Sequence, residues 1–250
     1  MRAMTYRVIG FMLMFLFCAD LCAAQDAETL KRAAAYEPLM VAAGKRHGVD
    51  PRLLWTVAFL ETRFRPDQVS RAGARGMMQF MPLTAKRFGL GDPREPAAAI
   101  DAAARYLREL QVLFEGRLDL ILAAYNSGEQ AVMAFREGRP LKLSNGKILN
   151  PRGLRTGGVP PYRETVNYVM SGVRLFRKLL SSDRLPASPP AELLVIDERE
   201  ENELITVALE ENLPEELTEL KKGSLYVVEG DSSCNSILPG SSATNSIYPR

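Results

Sequence analysis

One histidine, His47, stands in the whole 250-residue chain. Its isolation rules out a zinc site of several histidines and leaves a Ser-His or Cys-His nucleophilic pair possible only through that residue. His47 sits in Gly44-Lys-Arg-His-Gly48, beside an expected helix end, and reads as a surface residue. Cysteine is nearly as scarce, with Cys18, Cys22 and Cys234 alone. The first two fall in an expected export signal, so no internal disulfide can form afterwards and packing must hold the fold. No Gly-rich phosphate loop is present, because the glycines between 153 and 158 lack a following Lys-Ser/Thr and a preceding strand pattern. No repeat of 20 to 50 residues appears, and neither a metal nor a cofactor is expected.

Long apolar runs are also missing, apart from Val8–Phe17. That run follows Arg2 and Arg7 and leads to the small residues Cys22-Ala23-Ala24, the order of a secretory signal over residues 1–24. Ten apolar residues are short for a spanning helix, so an exported, periplasmic protein with no membrane span after cleavage is expected. Phe17 and Leu21, which precede the two cysteines, are too bulky for a lipid-attachment site. The net charge of +2 conceals an asymmetry: residues 25–185 carry 26 Lys and Arg against 16 Asp and Glu, whereas residues 186–250 carry 4 against 13. A basic body is followed by an acidic tail. Export argues against nucleic acid as the partner of the basic body.

A hydrophobic share of 46% suits one full core. The patterns predict helices over Ala27–Arg46, Pro51–Thr62, Ala97–Phe114, Leu118–Tyr125, Glu129–Glu137 and Tyr162–Leu180, with a short one over Met77–Phe88 interrupted by Pro82. Asp50-Pro51 supplies an N-cap and a first-turn proline, and Leu118–Tyr125 is almost wholly apolar and therefore central. Residues 138–161 form a long loop with a hairpin turn at Asn145-Gly146. The last helix has a buried stripe of Val166, Val169, Val173 and Phe176 or Leu180. The fold class is thus all-α over residues 27–182, followed by a Pro/Ser linker at 183–191 and an acidic C-terminal extension at 192–250 of uncertain structure.

Glu61 carries the chemistry. Leu54, Val57 and Ala58 precede it by seven, four and three positions, so a carboxylate shares their apolar helical face. Burial there raises the pKa and keeps a carboxylic acid protonated near neutral pH, as a general acid requires. The competing reading is a buried glutamate neutralised by Arg63, Arg65 or Arg75. Gln79, set among Met78, Phe80 and Met81, would be costly to bury unpaired and is expected at a groove or in a specific hydrogen bond. Without the motifs around them, Tyr125 and Tyr168 read as core aromatics, Asn126 as an ordinary helix-end residue and Met77-Met78 as packing.

Four motifs stand in order: Glu61-Thr62, Gly76-Met77-Met78-Gln79, Ala124-Tyr125-Asn126 and Glu164-Thr-Val-Asn-Tyr168-Val169. Together they resemble the catalytic domain of the soluble lytic transglycosylases, lysozyme-like enzymes that cleave peptidoglycan, over roughly residues 35–180. The resemblance implies a mainly helical fold of the lysozyme-like α+β superfamily. It makes Glu61 the single catalytic acid/base and puts Gln79, Tyr125, Asn126 and Tyr168 along the glycan groove, with Thr62 and Met78 among the substrate-binding positions. Thr62 stands where serine is more usual and Met77 where leucine is; hydroxyl and apolar volume are both kept. Ordinary glycosidases use two carboxylates, and these motifs supply one. The resemblance accounts for that: the substrate's N-acetyl group assists departure, its 6-hydroxyl attacks in place of water, and a 1,6-anhydromuramoyl end results. Two alternatives stay open: a goose-type lysozyme that hydrolyses the same bond, and a non-catalytic wall-binding module of a transenvelope secretion or conjugation apparatus recruited through the acidic tail.

Overall fold

The computed structural model describes residues 26–143, 145–182, 184–186 and 194. The expected signal at 1–24, most of the linker and all but one residue of the acidic extension lie outside them. Helix α1 runs through residues 26–47, followed by α2 (Pro51–Thr62), α3 (Pro82–Arg87), α4 (Pro96–Leu113), α5 (Leu118–Ser127), α6 (Glu129–Glu137) and α7 (Arg163–Leu180). Between α6 and α7, β1 (Leu141–Lys142) pairs antiparallel with β2 (Ile148–Leu149), in the register Leu141 to Leu149 and Lys142 to Ile148. The architecture is all-helical around this one small hairpin among the described residues.

Hydrophobicity decides the layering. Helix α5 is apolar and buried without a break from Leu120 to Tyr125, which places it at the centre, where α4, α6 and α7 all pack on it. Helix α2 is buried from Pro51 to Phe59 and lies against α7 and α4. Even Arg52 is inside, held by a buried ion pair in which its Nη2 donates to Asp50 Oδ2 at 2.8 Å while Asp50 Oδ1 also caps the helix through the Arg52 amide. On α7, Val166, Val169, Val173 and Phe176 face the core as expected, with Leu179 completing the stripe and Leu180 left 42% exposed.

Several sequence expectations need correction. Met77 to Gln79 forms a turn, and α3 begins only at Pro82, whose missing N–H and fixed φ suit a first helical position. His47 is half-buried; its Nε2 lies 2.9 Å from Asp101 Oδ1 and, with Arg46, ties α1 to α4. Arg184 and Leu185, in the stretch assigned to a linker, pack on the body: Leu185 is 4% exposed, and Arg184 donates to Glu37 and to the Leu30 carbonyl on α1.

Candidate active site

Helix α2 ends abruptly at Thr62, one residue after Glu61. Arg63 and Phe64 both adopt left-handed backbone, φ 53° and 62°, and the Phe64 side chain is driven fully inside against Trp55, with ring centroids 4.8 Å apart. Two consecutive non-glycine residues in that region are uncommon, and Gln79, across the site, is a third at φ 49°. Buried aromatics over-determine the turn, so the helix stops where Glu61 occupies its last turn.

Glu61 is reached from α7. The Tyr168 hydroxyl donates to Glu61 Oε1 at 2.9 Å, joining residues 107 positions apart. The residue keeps part of its surface open, yet its carboxyl is enclosed closely enough to push its pKa from 4.5 up to about 8. Burial is the largest cause; the Tyr168 hydrogen bond works against it, and the charge of Glu164 adds to it. None of Arg63, Arg65 and Arg75 forms an ion pair with Glu61, so the neutralised-carboxylate reading falls away. At neutral pH the group is a carboxylic acid with a proton to give.

A second element is fastened to Thr62, the residue next to this acid. Gly76 has φ +79°, and a Cβ there would lie 1.7 Å from the Pro93 carbonyl oxygen, so only glycine lets the chain pass. The turn that follows buries Met77 and Met78 completely. Their carbonyls are each held by a hydroxyl from a different helix: Thr62 Oγ1 donates to Met77 O at 2.9 Å, and Tyr125 Oη donates to Met78 O at 2.9 Å. Thr62 Oγ1 also accepts from the Arg65 amide at 3.1 Å. The Gln79 side chain folds over the turn, its Nε2 donating to Gly76 O at 2.8 Å and to Gln68 O at 3.3 Å. Asn126 Oδ1 accepts from Thr165 Oγ1 at 2.8 Å, fastening the end of α5 to α7 one turn before Tyr168.

Gln79, Asn126 and Tyr168 therefore remain partly exposed beside Glu61's loop and helices. Met78 has no exposed surface, and Thr62 and Tyr125 are 9% and 7% exposed. The Thr62 and Tyr125 hydroxyls fasten the turn from inside, and the Met78 side chain packs in the core. Glu164 was missed as a site residue. Its signal is spacing: four residues before Tyr168 on α7, it shares the face turned to Glu61, and its Oε2 is shielded from solvent. A cavity of about 410 Å³ between Arg75, Phe80, Lys86, Leu90 and Pro93 adjoins the turn but does not include Glu61.

Residues 38–141, which hold Glu61, the Gly76-Met-Met-Gln79 turn and Tyr125, match the Transglycosylase SLT domain. Among curated relatives, the peptidoglycan transglycosylase gp16 of Escherichia phage T7 is 41% identical over 101 residues, 38% of this chain and 8% of the phage protein. The membrane-bound lytic murein transglycosylase F of Alcanivorax borkumensis is 34% identical over 114 residues, 41% of this chain and 24% of its own. The membrane-bound lytic murein transglycosylase C of Haemophilus ducreyi is 38% identical over 120 residues, covering 41% and 33%. The matched region thus spans a third or less of these relatives. An inactive mutant of the lytic transglycosylase Slt from Pseudomonas aeruginosa aligns over 66% of this chain and 27% of its own with a TM-score of 0.47 and 22% identity. No described helix is long and apolar enough to cross a membrane.

Proposed function

We propose that this chain is an exported, periplasmic lytic transglycosylase that cleaves the MurNAc-β-1,4-GlcNAc bond of peptidoglycan without water and leaves 1,6-anhydromuramoyl ends. The observation that carries the reading is the enclosed Glu61 carboxyl, protonated up to about pH 8. Glu61 gives its proton to the glycosidic oxygen as the bond to the anomeric carbon breaks, and the departing N-acetylglucosamine takes it as a hydroxyl. The muramic acid's own N-acetyl group supports the developing positive charge. Glu61, now a carboxylate, accepts the proton of the 6-hydroxyl as that oxygen bonds to the anomeric carbon, so the acid is regenerated and no water is consumed. Tyr168 steadies the carboxylate between the two steps, because its hydrogen bond favours the charged form. Gln79, Asn126 and Tyr168 line the groove for the sugar ring, while Thr62, Met78 and Tyr125 keep the opposing turn in register.

The hydrolytic alternative needs a second carboxylate that can activate water. Glu164 is the carboxylate acting on Glu61, but it comes from the same helix as Tyr168 and its Oε2 is out of contact with solvent. It is suited to holding Glu61 protonated, not to serving a water molecule on the far side of the sugar. Mass spectrometry of soluble products from isolated peptidoglycan is the test, with Glu61→Gln as control. Muropeptides one water lighter than reducing-end forms, absent from the control, are expected; reducing ends would make the protein a lysozyme, and no products at all would favour a binding module.

A further inference from the structure

The stretch from Gly138 to Arg163 holds six cations, Arg139, Lys142, Lys147, Arg152, Arg155 and Arg163, and no aspartate or glutamate. Five of the six, from Lys142 onward, lie beyond residue 141, where the match to the SLT domain ends. Arg139 pairs with Glu137, but none of the other five forms an ion pair with a described residue. Lys142, Arg152, Arg155 and Arg163 are exposed, and Lys147 is half-buried.

This is a built platform. The hairpin carries its own small core of Leu149 against Ala131 and Ala134 of α6, with Leu141 and Leu143 packed beside them. Asn150 is its keystone: 1% exposed, with left-handed backbone, it donates from Nδ2 to the Ala134 and Leu154 carbonyls at 3.0 and 2.8 Å and accepts from the Leu154 amide at 2.8 Å. The Thr156 amide donates to Phe135 O at 3.2 Å, and Tyr162 packs edge-on against Phe135 at 5.7 Å. From there the chain enters α7 at Arg163, two residues before Thr165 and five before Tyr168. An anchored stretch carrying these cations is therefore joined to α7, whose Tyr168 bonds Glu61.

We infer that this hairpin is an anionic-polymer clamp beside the site, and that it binds the carboxylates of the peptide stems carried by the glycan strand. The inference rests on the proposed function, since it takes peptidoglycan as the substrate. The uncharged sugar backbone offers these cations nothing, whereas each stem presents several carboxylates to be matched by Lys and Arg. The chain's own acidic segment, with eleven acids and one base over residues 192–219, is a rival occupant. Arg184 bonds to α1, and Leu194, the one described residue of that segment, packs against the main core and not against the hairpin's, which favours the stems.

The test compares Glu61→Gln protein with the same protein carrying K142Q, K147Q, R152Q and R155Q, both shown to melt alike. Co-sedimentation with intact sacculi and with insoluble chitin, a glycan of N-acetylglucosamine that carries no carboxylate, is measured across a salt series. Retention on sacculi is expected to fall about five- to tenfold at low salt, with a flatter salt dependence, because exposed pairs are weak singly and screened together. Retention on chitin should not change. Equal retention of both proteins on sacculi, or an equal loss on chitin, overturns the inference. So does an effect that vanishes when residues 186–250 are removed, since the acidic segment would then be the occupant. The proposed function fails by a separate reading: absence of anhydromuropeptides from the wild-type digest.

Discussion

An acid kept protonated by its surroundings makes the folded protein bind a proton that the unfolded chain releases, and stability must register the difference. Glu61 rises from 4.5 to about 8 on folding, so its contribution is complete below pH 4.5 and is lost progressively as pH climbs to about 8. At about 1.4 kcal/mol per pH unit, the loss reaches about 3 kcal/mol at pH 7 and about 5 kcal/mol above pH 8. Partial exposure of the residue lets water screen some of this, which brings the expected figure at pH 7 to about 2 kcal/mol. Glu61→Gln keeps the shape, cannot ionise and escapes the loss. The Glu61→Gln variant should therefore be the more stable one, by about 4–8 °C in melting temperature at pH 7, with the gap widening to pH 8.5 and closing near pH 4.5. Trp55, the chain's one tryptophan, stacks on Phe59 in the same helix and reports the transition by its fluorescence. A gap that stays constant with pH, or a variant less stable than wild type at pH 8, would refute the reasoning about Glu61.

Two substitutions on α7 should move the alkaline limb of the activity profile in opposite directions. Glu164→Gln removes the charge that raises Glu61 and should lower the limb, while Tyr168→Phe removes the hydrogen bond that lowers it and should raise the limb, at reduced kcat. Shifts of the same sign in kcat/KM against pH would contradict the assigned geometry. Gly76→Ala sets a Cβ against the Pro93 carbonyl at 1.7 Å and should cost about 3 kcal/mol or more, seen as a collapse of the soluble folded fraction. Thr62→Val leaves the Met77 carbonyl and the Arg65 amide without their hydroxyl and should cost about 1–3 kcal/mol in urea unfolding, whereas Thr62→Ser should stay close to wild type.

The helices were legible because each carried its own local signal. Asp50-Pro51 announced the start of α2, and both the side-chain cap and the first-turn proline are present. The unbroken apolar run of α5 required a central place, and Asn145-Gly146 announced a hairpin whose strands pair as their pattern demands. Met77 to Gln79 misled because apolar residues flank a proline on both sides, which imitates a kinked helix. What decides that segment is the close approach of the Pro93 carbonyl to Gly76, a contact between residues 17 positions apart that leaves no trace in local composition. Arg184 and Leu185 misled for the opposite reason: prolines and serines dominate the averaged composition, and one buried leucine with one arginine over Trp55 is enough to hold the segment.

At the site, sequence could place a carboxyl on an apolar face but could not choose between an acid and a buried ion pair, since Arg63, Arg65 and Arg75 follow Glu61 within 14 residues. The choice is made by the chain's path. Helix α2 stops at Thr62, and the left-handed Arg63 and Phe64 spend the turn on burying an aromatic, so Arg63 and Arg65 leave the face that Glu61 occupies. The face is closed instead by α7, which brings a hydroxyl and a second carboxylate, and both identities matter: a guanidinium there would hold Glu61 ionised, whereas Tyr168 and Glu164 leave burial in command. The hydroxyls that fasten the opposing turn were hidden for a further reason. Thr62 and Tyr125 donate to backbone carbonyls, and a carbonyl acceptor exists at every position whatever the side chain, so no residue pattern could distinguish a tyrosine that touches sugar from one that holds Met78 in place.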